Sequence, residues 1–522
     1  MRGRLLLMLN YFYSIFSTWA TMLAIPTVLQ SLAPASPGPW RRPSTLARRR
    51  KMEHFATEVE ALFGGPLAPS SLLSISQRLQ DQFKERLQSS SISMLPSYNH
   101  TLPHGNETGT YLAVDVGGST LRVALVDLAG RDGAEVPMKI ARMDSWKIDD
   151  TVKALKGLAF FDWMAGRIDE MLAKDPMADG LESRPPLPMG LAWSFPIKQT
   201  SIRSGTLLSM GKGCSADQGV LGQDLGELIT QACQRQGMNV KLDAIVNDSS
   251  ATLLSRAYLD KSTRLALILG TGLNAAIHLP VSALALEKFG SRPQNWHDHA
   301  AHVLVNTELS MFGKDIVPTT RWDDYLNATH LLPDYQPLEH LISGRYLGEI
   351  VRLILVEAIQ TVGLFGGVFP SGFTEAYAFC TSVVATAESD TSPYLETTRR
   401  ILQKHHPHST IHSHADLLFV QRVCRSVSHR AAAYLAAGIH ALWSLRNETE
   451  GLSAVDAGRV AIGCNGSVIE KYPGFSAKCQ TTIDALVDLS GGQSHSVLLE
   501  PAIESAIFGA AVAVSCVEAE GM

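Results

Sequence analysis

The chain has 522 residues, 45% hydrophobic and 18% charged, enough for two to four domains at about 100–200 residues each. Its 45 basic and 50 acidic residues leave a net charge of −5, which argues against a nucleic-acid-binding surface. Seven cysteines with no CxxC spacing argue against a disulfide framework or a structural zinc site, and make a reducing compartment the default.

Residues 5–40 carry no charged side chain. Within them, Leu5 to Leu32 is long enough to span a membrane, which takes roughly 20 mostly apolar residues; Pro26 kinks or ends the run. Arg41, Arg42, Arg48, Arg49, Arg50 and Lys51 follow it, against Arg2 and Arg4 before, so the positive-inside rule places the body in the cytosol. Residues 1–51 therefore read as an apolar anchor or targeting leader with a basic flank. The competing reading is a true start at Met52, which leaves the protein cytosolic. Asn99 and Asn106 head glycosylation sequons that matter only for a lumenal body.

From Met52 the sequence turns to mixed charge. The spacing of Phe55, Val59, Leu62 and Phe63 predicts a helix over 52–65, and a second helix is expected at 72–87 among loops. Strands follow at 111–118 and 121–128, a helix at 154–173, a strand at 189–195, a helix at 221–235 and a strand at 243–248. Residues 266–279 read as two strands around a glycine turn. Helices are expected at 341–362 and 420–445, and the Ser-, Thr- and His-rich stretch 385–415 reads as a surface insertion. A strand at 459–464 and a helix at 506–517 close the chain, and the alternation indicates an α/β protein.

Six motifs offer chemistry. Asp115-Val116-Gly117-Gly118-Ser119-Thr120-Leu121-Arg122 lies between two strands. Its glycines let backbone N–H groups approach an anion, its hydroxyls add donors, and an Asp at a strand end can hold Mg²⁺ through water; a plain hairpin turn is the alternative. Then come Ser194-Phe195-Pro196 with Lys212 downstream, Val246-Asn247-Asp248-Ser249 at a strand end, and a second phosphate-type turn, Leu269-Gly270-Thr271-Gly272-Leu273-Asn274. Asn306-Thr307-Glu308 and Leu338-Glu339-His340, with Ile342-Ser343-Gly344-Arg345 just beyond, complete the series. Taken singly, each reads more readily as a turn, a cap or a solvated residue than as a functional group.

In this order the motifs resemble those of the hexokinase family, over residues 55–515. LAVDVGGSTLRVALVDL, LAWSFPIKQTSIRSG, IVNDSSATLLSRAY, LILGTGLNAAI, VNTELSMFG and HLISGRYLGEIVRLIL carry the match. The resemblance implies a two-lobed, actin-like ATPase (ribonuclease H-like) α/β fold around a sugar-binding cleft. Residues 52–255 would supply mostly the small lobe, and 256–517 the large lobe with a last helix returning to the small one. It implies transfer of the γ-phosphoryl group of ATP, with Mg²⁺, to the 6-hydroxyl of a glucose-like hexose, with Asp248 as general base and Lys212 as the catalytic lysine of the sugar site. Ser194, Asn247, Asn274, Glu308 and Glu339 fall at the family's sugar ligands. Asp115, Gly117, Gly118, Ser119, Thr120, Arg122, Gly270, Thr271, Gly272 and Gly466 fall at its nucleotide-facing turns, as does Arg345, where the family usually has Lys. The implied partners are hexose and ATP, a membrane through residues 5–32 with the mitochondrial outer membrane as first candidate, and regulatory proteins.

Three segments depart from the family pattern. Met210-Gly211-Lys212-Gly213-Cys214 stands for W-T-K-G-F, losing a sugar-contacting hydroxyl and the aromatic anchors. Cys464-Asn465-Gly466-Ser467 stands for V-D-G-S/T, with an amide for a carboxylate. Ile503 to Ala511 stands for E-D-G-S-G-x-G-A-A, with β-branched Ile507 and bulky Phe508 expected to spoil a tight nucleotide-facing turn. Two functions stay open: an ATP-dependent hexokinase, or a non-catalytic relative that binds sugar as a sensor or regulator with a degraded nucleotide site.

Overall fold

The computed structural model describes residues 45–173, 185–210, 214–216, 218–408 and 413–519. The apolar segment 5–32, Arg41, Arg42 and Lys212 lie outside them. Residues Arg49–Met522 form one compact unit.

In chain order the strands are β1 (Leu95–Pro96), β2 (Thr108–Val116), β3 (Thr120–Ala129), β4 (Met138–Lys147), β5 (Leu187–Trp193), β6 (Ile197–Gln199), β7 (Gly205–Leu207), β8 (Val240–Val246), β9 (Thr263–Leu269), β10 (Leu273–Pro280), β11 (His302–Asn306), β12 (Val460–Asn465) and β13 (Val497–Pro501). β2, β3 and β4 form an antiparallel meander; β5 joins parallel to β2 and β8 parallel to β5, giving the order β4-β3-β2-β5-β8. The other large sheet repeats that plan. β9, β10 and β11 are the meander, β12 and β13 the parallel additions, and β1 extends the edge beyond β11. The β2–β3 and β9–β10 turns therefore hold equivalent places, so the two glycine-rich motifs are one structural element used twice.

Burial follows strand position. The inner part of β2, Tyr111 to Val116, is buried without alternation because it is paired on both sides and covered on both faces. β4, not expected from the sequence, is an edge strand whose half-buried and exposed residues alternate along MKIARMDSWK. The small-lobe core gathers Phe160, Phe161, Met164, Trp193 and Phe195 around the β2–β5 sheet. The large-lobe core includes the long helix His414–Thr449 and also Met52 to Met94, so the first helices belong with the large lobe. Between the sheets lies a third, alanine-rich core built on the helices Asp248–Leu259 and Ser505–Ala519. Small residues there let backbones touch: a Cβ on Gly509 would lie 2.0 Å from the Ala251 carbonyl, and one on Gly190 2.1 Å from that of Ala510.

The described residues of the 385–415 stretch are not a loose surface insertion. They contribute the helix Glu396–His405 and part of Thr381–Ser389, and bury Ala387, Leu395 and Leu402 in the large-lobe core. Their hydroxyls bond locally: Asp390 accepts from Ser392 Oγ (2.6 Å) and Thr398 Oγ1 (2.8 Å). No helix among the described residues is long and apolar enough to cross a membrane.

Candidate active site

β2, β5 and β8 run parallel and end at Val116, Trp193 and Val246, so Asp115–Gly118, Ser194 and Asn247–Asp248 share one edge of the small-lobe sheet. Ser194 donates its N–H to the Val116 carbonyl (3.2 Å). Asn247 caps the helix Asp248–Leu259, its side-chain oxygen accepting from the Ser250 N–H (2.9 Å). Asp248 is thereby fixed in the first turn, where the helix dipole favours a negative charge.

The second sheet supplies the facing groups. Asn306, at the end of β11, works as a two-way amide. Its oxygen accepts from Asn274 Nδ2 (3.0 Å) while its Nδ2 donates to Glu308 Oε1 (2.8 Å). Ser249 Oγ lies 3.5 Å from the same oxygen, joining this network to the Asp248 helix. Asn306 was not among the expected ligands, although it stands in the Asn-Thr-Glu motif. Glu308 is held at a left-handed backbone position, φ 51°. Glu339, in the first turn of the helix Pro337–Ile342, accepts the Leu273 N–H at its Oε2 (2.8 Å). A Cβ on Gly272 would lie 2.8 Å from that oxygen, so the glycine makes room for the carboxylate.

The carboxylates feel one another. Burial raises the pKa of Asp115, Glu308 and Glu339. The charge of Asp248 adds to the rise at both Asp115 and Glu308, and that of Glu308 to the rise at Glu339. For Glu339 the result is about 7, with the Leu273 N–H and Arg345 opposing. The two sheets thus link four carboxylates in a row, each within electrostatic reach of the next.

Both glycine turns form closed hairpins. Gly117 N–H donates to the Thr120 carbonyl and Gly270 N–H to that of Gly272, each at 3.0 Å. Gly118 and Thr120 are half-buried, and Ser119 and Thr271 are exposed at the turn tips. The Ser343-Gly344-Arg345 segment straps the second turn: Ser343 Oγ reaches the Thr271 carbonyl (2.9 Å), and the N–H groups of Gly344 and Arg345 reach the carbonyls of Gly270 (2.8 Å) and Thr271 (3.2 Å). Gly466 closes on the same turn at φ 121°, where a Cβ would lie 2.4 Å from the Leu269 carbonyl. The Arg345 guanidinium is exposed, 4.9 Å from the Tyr377 ring centre. Arg122 lies opposite Asp115 in the β2–β3 register and binds its Oδ2 through Nε (2.9 Å) and Nη2 (2.7 Å). Its Nη1 pairs with Glu504.

The three departures fare differently. Residues 505–511 form no tight turn; they begin the helix Ser505–Ala519, and Ile507 is fully buried in the inter-sheet core. The expected clash of Ile507 with a nucleotide-facing turn is therefore corrected: its side chain points into alanine-lined packing. Asn465 uses its amide, donating from Nδ2 to the Ala502 carbonyl (3.0 Å), a bond a carboxylate cannot make. Gly211 and Lys212 lie outside the described residues, so the sugar-loop departure has no structural account. Of the two sequons, Asn99 is buried and Asn106 exposed.

Two family profiles, both for hexokinase, match residues 65–258 and 264–516. The chain belongs to the hexokinase family. It is 32% identical to hexokinase-2 of Oryza sativa subsp. japonica over 81% of this chain and 83% of that one. It is also 32% identical to hexokinase-5 of the same plant, over 89% and 90%. The structure of a hexokinase from Schistosoma mansoni complexed with glucose superposes with a TM-score of 0.72 at 28% identity, over 89% of this chain and 99% of that one. The doubled strand plan is accordingly the two-lobed, actin-like hexokinase fold.

Proposed function

We propose that the protein is an ATP-dependent hexose kinase acting on the 6-hydroxyl of a glucose-like sugar, with residues 52–255 supplying mostly the small lobe, apart from the first helices that pack with the large one, and 256–517 supplying the large lobe. The observation that carries this reading is the set of donors and acceptors converging from both sheets: Asn274, Asn306, Glu308 and Glu339 beside Asn247 and Asp248. A sugar presents several hydroxyls, each both donor and acceptor, and a set of carboxylates and amides satisfies them while leaving an ill-fitting substrate with unpaired groups. The residues present also fit MgATP by their chemistry. Arg122 and Arg345 supply cationic donors, and the glycine turns supply backbone next to them.

MgATP when bound brings the transferable phosphoryl group and the countercharge that eases its transfer. This chain's residues do the rest. Glu308, Glu339, Asn247 and Asn274 hold and orient the hexose, with Ser194 at the small-lobe edge. Asp248 accepts the proton of the 6-hydroxyl, its charge favoured by the helix N-terminus. Lys212 acts in the sugar loop. Closure of the lobes excludes water, which otherwise competes as acceptor.

The test is a coupled assay of the full-length protein with MgATP and several hexoses, with glucose binding read by calorimetry. Asp248→Ala should lower kcat by at least about 100-fold while glucose still binds. Saturable glucose binding without turnover in the wild type sinks the kinase and leaves the sugar-binding regulator; the pairing of Arg122 with two carboxylates is what favours that second reading. We further propose that residues 5–32 anchor the protein at a membrane, the mitochondrial outer membrane first, with the lobes in the cytosol. A fluorescent fusion should lose its membrane pattern when residues 1–51 are removed, and a pattern unchanged by the removal rejects the anchor.

A further inference from the structure

We propose that Glu504 is a built-in competitor of phosphate: it occupies Arg122 and must let go before the nucleotide's phosphates can be bound there. The inference rests on the reading of the Asp115–Arg122 turn as phosphate-facing. A guanidinium offers five N–H donors in a fixed fork. On Arg122 one side of the fork, Nε and Nη2, is taken by Asp115, its cross-strand neighbour. The remaining Nη1 points away from Asp115 and toward the second sheet, and there it meets Glu504. One cation thus carries two carboxylates, a local charge of −1, and an arriving phosphate meets net repulsion where it needs a free cation.

Glu504 is a placed acid. It follows β13 and immediately precedes the helix Ser505–Ala519, at a left-handed φ of 50°. Its neighbours on both sides are tied down. The Ala502 N–H donates to the Cys464 carbonyl (2.8 Å), and the Ala502 carbonyl accepts from Asn465 Nδ2 (3.0 Å). Ser505 Oγ meets Thr252 Oγ1 (2.8 Å), and Thr252 Oγ1 donates to the Asp248 carbonyl (2.9 Å). The side chain keeps 34% of its surface exposed, so the carboxylate can swing to water while the backbone stays fixed. The nucleotide's apparent affinity is then its intrinsic affinity scaled by the fraction of molecules with Arg122 released.

The test is calorimetric titration of the full-length protein with the magnesium complex of a non-hydrolysable ATP analogue, so the readout is binding alone. Glu504→Gln, which keeps size but removes the charge, should tighten Kd about fivefold. Glu504→Asp, which retracts the carboxylate by one methylene, should give a smaller gain in the same direction. Glu500→Gln is the control: that residue sits four positions away, pairs with Arg256 and Arg459, and should leave Kd unchanged. Binding by the wild type that is equal or tighter than in both Glu504 variants overturns the competitor while the nucleotide reading stands. Absence of binding in the wild type and every variant overturns both.

Discussion

Glu339→Gln tests the electrostatic picture of the sugar-facing carboxylates. Burial and the charge of Glu308 move Glu339 from an ordinary 4.5 to about 7. The folded state therefore holds a proton that the unfolded state has lost, and stability falls as pH rises from about 4.5 to about 7. At 1.36 kcal/mol per tenfold change in acidity, the rise from 4.5 to about 7 makes the ionised carboxylate cost about 3 kcal/mol above pH 7, and under about 1 kcal/mol at pH 5. Glutamine keeps an acceptor for the Leu273 N–H and removes the charge. Urea unfolding of the sugar-free protein at pH 8 should show the variant more stable by up to about 3 kcal/mol, with the gain mostly gone at pH 5. A gain of equal size at both pH values would refute the reasoning, because it would come from packing and not from ionisation.

Sugar hydroxyls that donate to Glu339 must favour its charged form, so glucose binding near pH 7 should release a proton; calorimetry in buffers of different ionisation enthalpy measures it, and zero release contradicts the contact. Gly272→Ala should weaken glucose binding about tenfold with little change in thermal stability, since its Cβ at 2.8 Å meets only the movable end of Glu339. Gly190→Ala should instead destabilise the fold by about 3 kcal/mol in urea unfolding, because its Cβ at 2.1 Å meets the fixed Ala510 backbone carbonyl. Asn465→Asp, which restores the family's carboxylate, should lower stability by about 1–3 kcal/mol by turning a donor to the Ala502 carbonyl into an acceptor facing it; an unchanged midpoint would show the bond carries nothing.

What the sequence reveals is what lies close together in the chain. Asn247 and Asp248 are legible because a cap and the residue it positions are adjacent, and the two glycine turns because each is complete within eight residues or fewer. β4 escapes notice because an edge strand mixes Lys and Arg into its alternation, and β11 and β13 because five residues give too little pattern. Asn306 stands in a legible motif, yet its role as hub depends on β10 and β11 pairing Ala276 with Asn306, which places Asn274 nearby. The motif pattern sets Ile507 in a turn, whereas the apolar run around it forms a buried helix. The Arg122–Glu504 pair joins residues 382 positions apart, and no local pattern announces it.

The doubled sheet plan explains why some departures are absorbed and others alter the site. Each sheet offers its parallel strand ends and its first hairpin to the same region, so a residue's effect depends on whether it lies on that edge or behind it. Ile507 lies behind, in a layer where Gly190 and Gly509 already set the spacing of backbones, and its side chain is accommodated as core. Glu504 lies on the edge, just beyond β13, where it pairs with Arg122 of the small-lobe hairpin, while Asn465 at the end of β12 bonds back to the Ala502 carbonyl. The Arg122–Glu504 pair joins the second sheet to the first. Phosphate binding then competes with an internal ion pair, and the same bond network reaches Asp248 through Ser505 and Thr252. A change in nucleotide affinity on altering Glu504 is therefore expected without any change in glucose affinity, since the sugar-facing residues Asn274, Glu308 and Glu339 are held by Asn306 and Leu273 and owe nothing to that ion pair.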